Sequence, residues 1–182
     1  QGKLLFQQGW QRWNTSDPLN LPGAGSVRPP ENVRYALRIL TANAELHADL
    51  LFSRPGMFSF NLWSGAPTPT RRNATHWFWL LSPVEQQAII AHLQTVPRSA
   101  IISSQPLIDF LYQEMHMTIT GPLNDHIRAH YRPLFRVSGY DFLVPQASTA
   151  APFYVARNFE RAPGATGTES ALITVNVAAQ AT

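Results

Sequence analysis

Six histidines, eleven carboxylates and no cysteine bound the chemistry open to this chain. His47 and Asp49 make the one close histidine–carboxylate pair ahead of a strand-like run. Such a pair is half of a metal site, a base with the carboxylate that orients it, or a structural surface pair. A metal ion needs three or four ligands, and His76, His92, His116, His126 and His130 have no spacing that completes a set. No metal site is therefore expected. His126 and His130 stand four apart on a predicted helix, which puts them on one face, solvated or shared. The missing cysteines exclude disulfide scaffolds, thiolate zinc, iron–sulfur clusters and cysteine nucleophiles together.

Gly23-Ala24-Gly25 lacks the third glycine and the preceding strand of a dinucleotide fingerprint. There is no P-loop and no Gly-x-Ser-x-Gly elbow, so Ser59, Ser64, Ser103 and Ser104 are not assigned as nucleophiles and no cofactor is expected. Asn14-Thr15-Ser16 and Asn73-Ala74-Thr75 match the glycosylation acceptor pattern, which matters only in a eukaryotic secretory pathway. The densest chemistry lies between Pro55 and Trp79, where Met57, Phe58, Phe60, Leu62, Trp63 and His76-Trp77-Phe78-Trp79 crowd a segment rich in Gly and Pro. Rings beside Arg71, Arg72 and Asn73 could stack on a sugar or lie at a headgroup layer. The same rings could equally be core. The candidate binding residues are thus Phe58, Phe60, Trp63, Arg71, Arg72, Asn73 and Trp77, and the candidate ligands a glycan or a lipid-phosphate headgroup; no catalytic residue is assigned.

The 182 residues are 45% apolar and 14% charged, with 15 prolines. Against a usual charged share of about 25% the chain is charge-poor, yet it holds enough apolar residues for one core. One domain with tails follows from this length. The net charge of +3 is spread thinly, with Arg71-Arg72 and the spaced Arg128, Arg132 and Arg136 as the densest cations. A nucleic-acid binder would gather them into a stripe, so no nucleic acid is expected. No stretch approaches the roughly 20 apolar residues that cross a bilayer, and residues 1–13 lack a signal-peptide core, so the chain as given is expected to be soluble.

The elements that would position these residues follow from pattern. Residues 1–29 read as an extended arm, pinned by burial of Trp10 and Trp13 or else placing them near a membrane surface. Val33, Leu37, Leu40 and Ala44 predict an amphipathic helix near 30–46, leading into a buried strand at 48–53 that Pro55-Gly56 stops. Phe58, Phe60 and Leu62 alternate as a strand would, inside an ordered aromatic loop. Ser82-Pro83-Val84-Glu85 has the form of a capping box opening a helix over 83–96, with Ala88, Ile89, Leu93 and Val96 as its stripe. A strand at 99–104, helices at 105–115 and 122–131, and two strands hinged at Ser138-Gly139 complete residues 30–145. The expected fold is α/β and three-layered: a small, mostly parallel sheet with crossover helices and an antiparallel C-terminal strand pair. Residues 146–182 form an extension, with strand candidates at 153–157 and 171–178.

Several of these motifs recur in a familiar order. Ala48-Asp49-Leu50-Leu51-Phe52 leads to Pro55-Gly56-x-Phe58-Ser59-Phe60-x-Leu62-Trp63-Ser64-Gly65, then to Pro67-Thr68-Pro69-Thr70 and Asn73. Glu85-Gln86-Gln87-Ala88-Ile89-Ile90, Pro97-Arg98-Ser99-Ala100-Ile101-Ile102, Pro122-Leu123 to Tyr131, and Val137-Ser138-Gly139-Tyr140-Asp141-Phe142-Leu143-Val144 follow. Over about residues 30–145 this order resembles the C-terminal region of bacterial GT-C membrane glycosyltransferases, relatives of the dolichyl-phosphate-mannose protein mannosyltransferases. The resemblance implies a domain on the extracytoplasmic (periplasmic) face of a bacterial membrane, partnered by the membrane-spanning region of the same parent protein. In that family a polyprenyl-phosphate sugar and the acidic catalytic residue belong to the membrane region. This chain would then be non-catalytic, and no family catalytic residue carries over to it; the alternatives are a free-standing small α/β enzyme, with His47 and Asp49 in one closed polar pocket, and a structural interaction domain whose aromatic loop is core.

Overall fold

A computed structural model describes residues 9–10, 13–14, 16–70, 81–117 and 120–153. Among these the chain forms α1 (Glu31–His47), β1 (Leu50–Arg54), α2 (Ser59–Ser64), α3 (Pro83–Thr95), β2 (Ser99–Ser104), α4 (Gln105–Met115), α5 (Pro122–His130), β3 (Tyr131–Val137) and β4 (Tyr140–Pro145). The four strands make one sheet in the order β1-β2-β4-β3. β1 and β2 are parallel; β4 runs antiparallel to both β2 and β3.

The expected α/β class is what the chain adopts, with a smaller parallel share than expected: one pairing of three. The difference lies in β4, which stands between β2 and β3 and runs against both, its sense relative to β3 set by the hinge at Ser138-Gly139. Both residues have positive φ, 46° and 80°, the backbone of a two-residue hairpin turn that follows the twist of its strands. The chain turns back so tightly that β4 is laid beside β3 in the opposite sense.

Two apolar clusters cover the two faces of the sheet. Leu50 and Phe52 of β1, Ile101 of β2 and Leu143 of β4 pack with Ile89, Ile90 and Leu93 of α3 and Leu123 and Ile127 of α5. The alternate residues Leu51, Ala100, Ile102, Phe142 and Val144 pack with Ile39, Leu40 and Ala44 of α1 and Phe60 of α2. This is the period-two rule of a strand buried on both faces. In β3 a bulge between Pro133 and Phe135 inserts Leu134 and shifts the register. It moves Phe135 onto the α1 face, where it stacks on Phe142 at 5.4 Å, while Tyr131 stays with the α5 face.

Local signals set most boundaries. Ser82 Oγ accepts from the Glu85 amide at 3.3 Å and Glu85 Oε2 accepts from the Ser82 amide at 2.8 Å, so the capping box is formed. The buried stripe of α3 is Gln86, Ile89, Ile90 and Leu93; Ala88 faces outward.

Two expectations are corrected. Phe58, Phe60 and Leu62 do not alternate in a strand: Ser59–Ser64 is a helix, closed by Gly65 in the left-handed region at φ 71°. The period that matters is three, since Met57, Phe60 and Trp63 turn to the α1 cluster while Leu62 stays 65% exposed. Nor do the two tryptophans pin the arm by burial, for Trp10 is 60% and Trp13 45% exposed. Leu19, fully buried, does so instead, a contribution of about 2 kcal/mol. Its carbonyl accepts from Arg38 Nε at 2.9 Å, Asp17 pairs with Arg34 at 3.0 Å, and the Arg28 guanidinium lies 4.7 Å over the Trp13 ring. At the other end, buried Asn43 of α1 receives the Phe153 amide at 2.7 Å and donates to the Phe153 carbonyl, holding residues 146–153 against the domain. The strand candidate at 171–178, and that at 153–157 beyond Phe153, lie outside the described residues.

Candidate functional site

The parallel pair β1 and β2 ends at Arg54 and Ser104, and ligands of open α/β sheets gather beyond such carboxyl ends. Register builds a polar row there. Arg54 of β1 lies opposite Ser103 of β2, Ser103 opposite Asp141 of β4, and Asp141 opposite Arg136 of β3. Residues opposite one another share a face, so all four side chains stand on the α5 side of the sheet. The bulge after Pro133 is what brings Arg136, rather than its neighbour, onto Asp141.

Within the row the charges are unevenly matched. Asp141 takes Arg136 bidentately, at 2.6 Å from Nε and 2.9 Å from Nη2. Arg54 receives only neutral acceptors: Nε donates to Ser103 Oγ at 2.9 Å and Nη1 to Asn124 Oδ1 of α5 at 3.1 Å. Among the described residues its Nη2 has no hydrogen-bond partner, and no carboxylate lies within ion-pair distance of it. Burial lowers the Arg54 pKa from its usual value; the charge of Asp141 acts the other way, and that of Arg128 adds to the lowering. A guanidinium stays protonated through such a change, so the site holds a partly desolvated permanent cation.

This cation borders a pocket of about 350 Å³, lined by Arg54, Asn124 and Arg128 with Gln105, Asp109 and Tyr112, and closed on its apolar side by Ile108 and Met117. The elements fit the residues to it locally. Ser104 Oγ caps α4 through the Leu107 amide at 3.4 Å, and the Gln105 amide donates to the Gly139 carbonyl at 3.0 Å, tying the hairpin turn to the start of that helix. Gly139 allows this approach: a Cβ there would stand 2.6 Å from Pro106 Cγ. Asp109 lines the pocket with its Oδ1 taken by Gln105 Nε2 at 2.7 Å. Hydrogen-bond donors, one aromatic ring and an excess of positive charge can hold a polar ligand; among the described lining residues there is no nucleophile–base pair.

Of the residues expected to bind, Arg71, Arg72, Asn73 and Trp77 lie outside the described residues. Phe60 is 2% exposed in the core, with Trp63 edge-on to it at 5.5 Å. Phe58 packs against the opposite, α5-side cluster. The structure therefore does not bring these three rings to one surface, and none of them lines the Arg54 pocket. His47 and Asp49 also part. His47 lines a second hollow of about 340 Å³ with Arg98, while Asp49 sits outside it, exposed and 3.6 Å from Arg98. The closed pocket holding both, which a His–Asp enzyme requires, is not formed. His126 and His130 do share a face, their rings 4.4 Å apart. Among the described residues no three donors gather as a metal site.

The residue pattern assigns no binding role to Ser103 and Arg128, which enter only as a possible nucleophile and a thinly spaced cation, and does not single out Arg54 or Asn124. Their one sequence signal is an arginine closing an otherwise apolar strand just before Pro55, a place where a charge must find partners. In comparisons with protein-family models, with curated proteins and with solved structures, the chain matches none. No helix of the described residues is long and apolar enough to cross a membrane.

Proposed function

We propose that the chain is the soluble, non-catalytic C-terminal domain of a polyprenyl-phosphate-sugar-dependent membrane glycosyltransferase, and that it assists acceptor or sugar binding through the Arg54 pocket. The family part rests on the motif order across residues 30–145. The binding part is carried by one observation: a donor-lined pocket stands beyond the carboxyl ends of the two parallel strands, with a hydrogen-bonding atom of Arg54 left over. The partner is the membrane-spanning region of the same parent protein, and the domain works on the extracytoplasmic side of a bacterial membrane. The pocket is added to the aromatic segment as a ligand-handling surface; of the rings described in that segment, Phe60 serves the core and Phe58 and Trp63 are partly buried against it.

Two measurements test this. The parent reading frame should carry a series of apolar spans; a frame without them removes the membrane parentage. Titration of the chain with oligosaccharides and with lipid-phosphate headgroups, followed by chemical shifts, should move signals of residues 105–112 and 124–128. Silence there removes the binding role.

A further inference from the structure

Burying a cation costs several kcal/mol unless an opposite charge or a full set of acceptors offsets it. Arg54 is half-buried and incompletely matched: its two hydrogen bonds go to neutral acceptors, no described carboxylate lies within ion-pair distance of it, and Arg128 borders the same pocket. The carboxylate next along the row, Asp141, is already held through both oxygens by Arg136. Among the described residues lining the pocket Asp109 is the one anion, against two guanidiniums. A second feature bears on what is missing. The pocket volume of about 350 Å³ falls at the small end of the roughly 300–1,000 Å³ that organic ligands occupy. Ile108, Tyr112 and Met117 give it an apolar side that a bare inorganic ion would leave unused.

We infer that the pocket takes an oxyanion carried on a small organic body, with the phosphate or equivalent group on Arg54 Nη2 and Arg128, and the body against Tyr112 and Ile108. Planar guanidiniums suit this task, because they offer paired donors to tetrahedral oxyanions and hold their charge at any working pH. Asp109 then sets selectivity against ligands of higher negative charge. The inference names the ligand class of the site proposed above and rests on that pocket being the working one; it does not depend on membrane parentage.

The test is a calorimetric titration of the full chain with glucose 1-phosphate, inorganic phosphate and methyl glucoside, together with co-sedimentation on phosphatidylcholine vesicles with and without phosphatidylglycerol. Glucose 1-phosphate should bind more tightly than inorganic phosphate, and methyl glucoside not measurably. Exposed Arg128 can be changed without disturbing the core: Arg128→Gln should weaken binding at least about fivefold, and Asp109→Asn should tighten it. Vesicle binding that requires the anionic lipid and is competed by glucose 1-phosphate marks a lipid headgroup as the source, whereas binding of the soluble phosphate alone marks a free one; either supports the inference. Equal binding of methyl glucoside with no effect of Arg128→Gln overturns the anion and leaves a sugar site. No binding of any probe overturns both readings.

Discussion

Arg54 Nη1 donates to Asn124 Oδ1 at 3.1 Å across 70 positions of sequence, joining the end of β1 to α5. Arg54→Met keeps the stem and removes the charge. Arg54 is half-buried, and an apolar stem of similar length removes its desolvation cost together with two hydrogen bonds, so stability should stay within about 1–2 kcal/mol of the parent. Anion binding should be lost. Urea unfolding and ligand titration on the same variant separate the two effects; a collapse of stability would make Arg54 a structural ion instead.

Gly121 precedes α5 at φ 104°, and a Cβ on it would stand 2.6 Å from Oε1 of buried Gln86. That oxygen accepts from the Leu123 amide at 3.2 Å, so it has little room to withdraw. Gly121→Ala should cost about 1–3 kcal/mol from backbone strain and this clash. Denaturant midpoints of the two proteins measure it, and an unchanged midpoint would contradict the packing described.

Phe60→Ala should lower stability by about 3–5 kcal/mol, as expected for emptying a buried aromatic site. A ring that served ligand instead of core would give a stable protein with weakened binding. Thermal unfolding distinguishes these outcomes.

Burial, and then the charge of His130, lower the His126 pKa below its ordinary 6.5. The unfolded chain therefore binds a proton more readily than the folded one, and stability rises with pH where their protonation differs. Stability should be full above about pH 7 and fall as pH drops through 6.5 toward the folded value. His126→Gln should flatten that fall in urea melts at pH 5 and pH 7.5; an identical fall in the variant would assign the loss to other groups.

Where a residue's environment is set by near neighbours, the sequence was readable. Ser82 and Glu85 stand three apart and form their box; Ser138-Gly139 had the composition of a two-residue hairpin and forms one. Phe58, Phe60 and Leu62 misled because a run of six residues satisfies period two and period three alike, and only the α1 cluster decides between them. Trp10 and Trp13 misled in another way: ring size speaks for burial, yet the arm is held to the domain through Leu19 and two arginines of α1, Arg34 and Arg38. The Arg54 pocket was hidden most deeply. It joins residues 54, 103, 124 and 128 by strand register and helix docking, and the bulge that sets Arg136 on Asp141 leaves no mark in the residue pattern.

The most direct test of the central claim reads the arginine itself. In nitrogen–proton spectra of the arginine side chains, the Nε–Hε signal of Arg54 should shift saturably as glucose 1-phosphate is added, alongside that of Arg128, while the signal of Arg98 at the far end of the sheet stays fixed. A stationary Arg54 signal at ligand concentrations that move other residues would show that the pocket beyond β1 and β2 is not where this protein binds.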